Sequence, residues 1–236
     1  MADLSNPSPM QSSNVQQRTV PISTEHDLIL RVSEYECAPD STRSQSRLTA
    51  VTDLQVKRET FMSSSSFFDG LFLNVFSKSD QSVLELTEDS GITAKALEIW
   101  FRALHNTLDE ESYRVQRPLL WIIIAAGDKY GFNLGKLTTW FEQWYDRNEA
   151  HQDPGRDGGE PARQLLLPCW AFNHAKGFMA VTRWLVYHCV SHIDEENPTG
   201  MKHIKVPRRV IRKLFSNIRS LYTGFEILTL QNSKSS

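Results

Sequence analysis

The sequence feature that most constrains the fold is a short segment rich in glycine and proline, placed beyond the middle of the chain. Residues 153–161 read Asp-Pro-Gly-Arg-Asp-Gly-Gly-Glu-Pro. Glycine and proline interrupt both helices and strands, so this composition does not sustain regular structure. We therefore predict a flexible linker over residues 148–163, which divides the 236-residue chain into a larger and a smaller unit.

The larger unit is predicted to combine a few strands with several helices. The runs at 27–34 and 48–56 carry leucine and β-branched residues in the pattern of a strand pair, and residues 83–86 predict a third, short strand. Between the second and third strands, residues 61–76 place phenylalanine and leucine at three- and four-residue spacings, which predicts a buried helix. The pattern indicates an α+β fold with a short three-stranded sheet flanked by a cluster of helices.

Three further helices are predicted after the third strand. Thr93 can cap the first of them, because a threonine oxygen accepts hydrogen bonds from the free N–H groups of a first helical turn. Pro118 can open the second helix and Gly131 can close it. The third begins near Asn133, so the larger unit is expected to extend over residues 25–147.

The smaller unit, residues 164–230, is predicted to be an all-α extension. Apolar residues recur at helical spacing over 165–175, around Val181 and Leu185, and again after Pro207. A unit of about 70 residues is close to the size at which an independent core becomes marginal, so we expect it to pack on the larger unit. The polar segments 1–24 and 231–236 are predicted to be disordered tails.

Charge balance and cysteine spacing exclude several classes of protein. The chain has 28 acidic and 26 basic residues, for a net charge of -2, whereas nucleic-acid-binding domains are usually strongly basic. Its three cysteines are widely spaced and form no C-x-x-C pair, which is typical of a reducing compartment. The sequence shows neither a signal-peptide pattern nor an apolar run that could cross a bilayer. We expect a cytoplasmic and/or nuclear protein with no membrane association.

Common catalytic and nucleotide-binding motifs are missing from the sequence. It contains no G-x-S-x-G motif and no P-loop, and the glycines of the 153–161 segment lack the following lysine that cradles phosphate. The serine run Ser63–Ser66 lies at a helix entry, where capping and solvation are its ordinary roles. We therefore expect no catalytic residues, no cofactor and no enzymatic activity.

The best candidate for a metal site is the group His188, Cys189 and His192. Histidines four residues apart project from one face of a helix, and imidazole and thiolate are the ligands that zinc prefers. Both histidines also continue the apolar stripe of Val181 and Leu185, where histidines that only pack between helices are expected. The packing role is favoured, and we therefore predict no metal site.

A basic stretch near the C-terminus is the candidate contact surface for a protein or a nucleic acid. It comprises Lys202, Lys205, Arg208, Arg209, Arg212, Lys213 and Arg219. At about 100° per residue these fall on one side of a predicted helix over 202–219, with apolar residues on the other. A solvated helix face is the favoured interpretation. The alternatives are nucleic-acid binding, a nuclear import signal and docking to an acidic protein, for which Lys205, Arg208, Arg209, Arg212 and Lys213 are the candidates.

Three segments of the larger unit resemble the BTB (POZ) domain family. Asp27-Leu-Ile-Leu-Arg-Val resembles the opening strand of the family, and residues 56–72 resemble its strand into a helical hairpin with a serine and spaced aromatics. Ala126-Gly-Asp-Lys-Tyr130 resembles the Ala-Asp-Lys-Tyr signature of a later helix. Beyond the linker, Pro168-Cys-Trp-Ala-Phe-Asn-His resembles the helical extension found in a large uncharacterised group of fungal BTB proteins.

This resemblance implies a module for protein–protein interaction that self-associates or docks a partner. It implies a homodimer through residues 26–147 and makes a cullin-type ubiquitin ligase scaffold a candidate partner, for which the chain would be an adaptor. The alternative is a nuclear regulatory factor that uses the basic helix 202–219 to contact nucleic acid or an import receptor. Nucleic acid is the less favoured partner because of the overall charge balance.

Overall fold

The computed structural model describes residues 15–37, 46–75, 82–88, 90–148, 159–188 and 195–213. Four strands form one mixed sheet in the order β1-β3-β2-β4. β2 and β3 pair antiparallel, while β1 on β3 and β4 on β2 pair parallel. The strands are β1 (Gln16–Pro21), β2 (Leu28–Cys37), β3 (Ser46–Val56) and β4 (Val83–Glu88).

The α-helices lie against this sheet and then extend away from it. They are α1 (Arg58–Met62), α2 (Ser66–Val75), α3 (Ala94–Leu104), α4 (Arg117–Tyr130), α5 (Thr138–Arg147), α6 (Glu160–Ala171) and α7 (Ala175–His188). Two 3₁₀ turns, Glu110–Tyr113 and Leu134–Leu137, precede α4 and α5. Another helix begins at Arg208 and is described as far as Lys213. The predicted α+β class is confirmed.

Three predicted helix boundaries are also confirmed. The Thr93 side chain accepts a hydrogen bond from the backbone N–H of Ala96 at 3.3 Å, which caps α3. Pro118 stands in the first turn of α4, where its missing N–H leaves no bond unmade. Gly131 ends α4 in the left-handed conformation at φ 66°, which glycine adopts without steric cost.

The predicted N-terminal tail and three-stranded sheet require correction, because regular structure begins well before residue 25. Residues 16–21 form β1, so the sheet has four strands. Only Val20 within β1 and Ile22 just beyond it are buried, which is why the segment has the composition of a tail. The side chain of Arg18 also lies 3.4 Å from the buried carboxylate of Glu98 in α3.

The aromatic segment predicted as one helix over 61–76 is instead two helices. The serine run separates α1 from α2. At this break the Ser65 hydroxyl donates a hydrogen bond to the backbone carbonyl of Tyr130 at 2.5 Å. Phe61 of α1 and Phe68 of α2 then meet in the core, with ring centroids 4.0 Å apart. The break places the aromatic side chains of both short helices against one core.

The predicted linker over 148–163 is shorter at its C-terminal end, because α6 begins at Glu160. Gly159 precedes it at φ 88°, and a Cβ at this position would lie 2.1 Å from the ring of Trp184. This close approach makes glycine necessary at the start of α6. Residues 149–158 of the predicted linker lie outside the described residues.

The two predicted units share one hydrophobic core. The indole N–H of Trp121 in α4 donates to the backbone carbonyl of Gln164 in α6 at 2.8 Å, and both groups are buried. Phe141 of α5 stacks on Phe172 after α6 with centroids 4.7 Å apart. As expected from its size, the helical extension packs on the larger unit. Among the described residues, no helix is both long and apolar enough to cross a membrane.

Candidate functional site

The basic stretch is partly helical, and its first part has a different conformation from the one predicted. The helix begins at Arg208, so Lys202 lies in a turn before it and Lys205 in a stretch without regular structure. The prediction that the helix starts at residue 202 is therefore wrong. The helix starts just after Pro207, because proline favours the beginning of a helix. Residues 214–219, including Arg219, lie outside the described residues.

Basic side chains along residues 202–213 are exposed, whereas apolar side chains at the start of this stretch are buried and fix its backbone on the core. Met201, Ile204 and Val206 are buried, whereas Lys202 and Lys205 are exposed. Arg208, Arg209, Arg212 and Lys213 are also exposed. The sequence contains no acidic residue from Asn197 to Lys213, so this basic segment carries six formal positive charges. We call residues 202–213 the basic segment.

Several side chains of the basic segment have no ionic partner within the described part of the chain. Some cations elsewhere are paired: Lys129 lies 2.8 Å from Glu88, and Arg147 lies 2.7 Å from Glu110. Lys202, Lys205, Arg208, Arg209 and Arg212 form no ion pair with any described acidic side chain. Their combined positive field therefore remains directed at solvent.

Hydrogen bonds fix the backbone at the start of the basic segment. The Asn197 amide donates to the carbonyls of Met201 and Ile204 at 2.9 and 3.0 Å. The backbone N–H of Val206 donates to the Glu195 carboxylate at 2.5 Å. These bonds and the left-handed Gly200 at φ 71° define a tight turn. The positions of His203 and Lys205 are thereby set before any partner binds.

A cleft opens between this turn, the C-terminal end of α4 and α6. Its volume is about 580 Å³. Apolar side chains line most of it, among them Ile124, Leu134, Leu167 and Ile204, and the ring of Trp170 is 37% exposed. Polar groups also line it: His203 and Lys205 from the basic segment, with Asp128 from α4. We call this the junction cleft.

Only one member of the predicted metal candidate lies among the described residues. The ring of His188 stacks on that of Trp184 with centroids 4.5 Å apart, and its Nδ1 is hydrogen-bonded to the Trp184 carbonyl at 2.9 Å. His188 is exposed and both contacts are made within α7, so the ring does not pack between helices as predicted. Cys189 and His192 lie outside the described residues. Within the described ranges, no three His, Cys, Asp or Glu side chains cluster closely enough to hold a metal ion.

A buried carboxylate joins the end of β4 to α4. Glu88 accepts hydrogen bonds from the Tyr130 hydroxyl and, at 2.8 Å, from the Lys129 ammonium. Burial and this carboxylate raise the pKa of Tyr130 above its usual value, so the hydroxyl stays protonated and remains a donor. The arrangement satisfies the buried charge within the fold and holds the last turn of α4 in place.

A cysteine and a histidine approach each other where α6 meets α7. Burial raises the pKa of the Cys169 thiol and lowers the pKa of His174. The Nδ1 of His174 accepts the N–H of Gly177 at 3.1 Å. A thiol must ionise to act as a nucleophile, so burial keeps Cys169 unreactive. Both side chains serve packing.

Sequence reasoning found the basic side of the junction cleft but missed its apolar side. The sequence carries no signal that distinguishes Trp170 from a core aromatic, whereas the structure leaves it partly exposed. Leu134 and Leu167 come from distant parts of the chain. The sequence does indicate the basic side, because apolar and basic residues alternate over 201–206. This pattern is typical of a surface segment whose apolar side chains are buried.

No protein-family model matches the chain, and no curated protein matches it significantly.

Proposed function

We propose that the chain is a non-enzymatic protein-interaction module of the BTB (POZ) type, which self-associates and docks a protein partner. The proposal begins from the resemblance of residues 27–32, 56–72 and 126–130 to that family. These segments form β2, the end of β3 with α1 and α2, and the last turn of α4. The α+β class and the helical extension are compatible with this assignment.

Exposed aromatic side chains carry the functional part of the proposal. Phe67 is 44% exposed on α2, Trp170 is 37% exposed at the junction cleft, and Tyr187 is 61% exposed on α7. Among the described residues, most other large aromatics are buried and the rest are only partly exposed, so these three are exceptions. Aromatic side chains dominate the free energy of protein–protein association when a partner buries them. Such surfaces support binding.

Phe67 is the side chain that we assign to self-association. It lies within residues 26–147, the region proposed to form the homodimer, and no other large hydrophobic side chain among the described residues of that region is as exposed. Its ring packs edge-to-face against Phe68 and Tyr130, which fixes its direction. A rigid, half-exposed aromatic ring loses little entropy when a second copy covers it.

Light scattering of the purified full chain at micromolar concentration tests self-association. We expect twice the 27.1 kDa mass of the chain. Phe67→Glu should raise the dimer dissociation constant at least ~10-fold, because an interface anchor contributes ~2 kcal/mol or more and each ~1.4 kcal/mol is a factor of ten. Tyr187→Glu is the matched control, since it puts the same charge on an exposed aromatic outside the proposed interface. A wild-type monomer at these concentrations would disprove the homodimer.

Two extensions of the proposal concern the partner. A cullin-type scaffold is the partner that the family resemblance suggests, and the chain would then be an adaptor. The second candidate function, a nuclear regulatory factor, is favoured by one observation, the cluster of exposed cations in the basic segment. Contact with nucleic acid predicts an affinity that falls steeply with salt and is lost when Arg208, Arg209 and Arg212 become glutamine.

A further inference from the structure

The junction cleft combines an apolar interior with basic side chains along one edge. The interior is lined by Ile124, Leu134 and Leu167, and the partly exposed Trp170 also lines the cleft. A volume of about 580 Å³ is large enough for one aromatic side chain and the backbone beside it. A site of this shape accepts an apolar group that projects from a chain.

The edge formed by the basic segment determines which chain can lie there. His203 and Lys205 line the cleft directly. Arg208 and Arg209 follow within three or four residues of Lys205, so their backbone lies at most about 14 Å farther along the chain. Because none of these three cations has a described acidic partner, carboxylates on an incoming segment would supply the missing counter-charges.

We propose that the junction cleft binds an acidic segment of a partner protein, with one large apolar side chain inserted beside Trp170 and flanking carboxylates on Lys205 and the adjacent arginines. The proposal rests on the protein-interaction function and names the class of ligand. Charge complementarity between basic segment and peptide would speed encounter, while burial of the apolar side chain would slow dissociation.

A peptide fits this site better than a nucleic acid does. Asp128 also lines the cleft, where it would repel a phosphate backbone but can accept a hydrogen bond from a peptide N–H. Among the described residues that line the cleft, Lys205 is the only lysine or arginine. Grooves that bind single-stranded nucleic acid carry positive charge along the whole path of the backbone. The turn that carries His203 and Lys205 is already held by Asn197, so binding requires little ordering.

The test measures fluorescence anisotropy with the full chain and a labelled 13-residue peptide of Asp, Glu, Ser and Gly with one central Phe. We expect a micromolar dissociation constant that increases at least tenfold when the central Phe is replaced by Ala. Trp170→Ala and Lys205→Glu should each weaken binding at least fivefold. Lys176→Glu is the matched control, because it makes the same charge change on an exposed lysine outside the cleft, and it should change affinity less than twofold.

A charge swap between the protein and the peptide distinguishes a lost contact from a disturbed fold. Lys205→Glu should regain affinity, at least threefold, for a peptide in which one flanking Glu is replaced by Lys. Equal loss of binding with Lys176→Glu and Lys205→Glu would overturn the proposal, as would no binding of the Phe peptide. Tighter binding of a 13-nucleotide single-stranded DNA than of the peptide would overturn it in favour of nucleic acid.

Failure of this inference is distinguishable from failure of the proposed self-association. The oligomeric state is measured by light scattering on the same samples, and neither Trp170 nor Lys205 lies in the proposed dimer region. A dimer without peptide binding removes only the ligand assignment. A monomer that binds the peptide with the expected variant profile removes only the homodimer.

Discussion

At the scale of single residues, His174 is the side chain whose protonation the fold controls most clearly. Burial lowers its pKa, against the opposing effect of the carboxylates of Glu142 and Asp146. Its Nδ1 accepts the N–H of Gly177, a bond that a protonated ring cannot accept. The folded protein therefore favours the neutral form of the His174 ring.

The sign of the resulting pH dependence follows from that lowered pKa. An unfolded histidine titrates near pH ~6.5, so the unfolded chain takes up a proton before the folded one does. Stability from the neutral His174 is fully present above that pH and is lost as the pH falls below it. We predict that the wild type loses more free energy of unfolding between pH 7.5 and 5.5 than His174→Gln does.

Urea denaturation at the two pH values measures this difference. His26→Gln is the control, because His26 is exposed, and it should keep the full pH dependence of the wild type. If His174→Gln and the wild type lose equal stability over this range, His174 does not set the acid sensitivity of the fold.

At the scale of elements, helix termini are where sequence and structure agree best. Thr93 and Gly131 each act through local backbone chemistry, which a few neighbouring residues decide. A Cβ at Gly131 would meet only the Ser66 hydroxyl at 3.5 Å, an ordinary contact, so the need for glycine there is conformational. Gly70 lies inside α2 with open space around the position of a Cβ.

These two glycines predict opposite effects of the same substitution. Gly131→Ala should lower the free energy of unfolding by about 1–2 kcal/mol, because alanine resists a positive φ. Gly70→Ala should raise it by about 0.5–1 kcal/mol, because alanine favours the helix. Thermal and urea denaturation of both variants measure the effects, and destabilisation of equal size at both positions would refute the conformational argument.

Elements whose stability comes from distant contacts could not be predicted from the sequence. The sequence predicts a tail at β1, because its ladder to β3 and its ion pair to Glu98 involve residues some 30 to 80 positions away. Its local signal is limited to Val20 and Ile22. The apolar wall of the junction cleft is hidden for the same reason, since α4, α6 and the basic segment form it only after they pack.

At the scale of the whole molecule, the shared core predicts that the two sequence units unfold together. Trp121→Phe removes the N–H that satisfies the buried carbonyl of Gln164, which should cost about 1–3 kcal/mol. Because the core is continuous, α3 in the larger unit should lose stability along with α6. Hydrogen exchange at increasing urea should show the same midpoint for both helices.

Trp100→Phe provides the comparison for this prediction. Trp100 donates to the carbonyl of Ile123 at 2.8 Å, so this variant removes an equivalent bond entirely within the larger unit. It should lower the midpoints of α3 and α6 equally. If α6 keeps its protection while α3 loses it, the chain folds as two independent domains.

The hydrogen bond between Trp121 and Gln164 bears on where the chain can be interrupted. Non-covalent contacts already join the halves, so the peptide connection through residues 149–158 is not what holds them together. The entropy of closing a loop grows only as the logarithm of its length, about 0.6 kcal/mol for each doubling. That stretch is therefore the natural site for a long insertion or for a split into two complementing fragments.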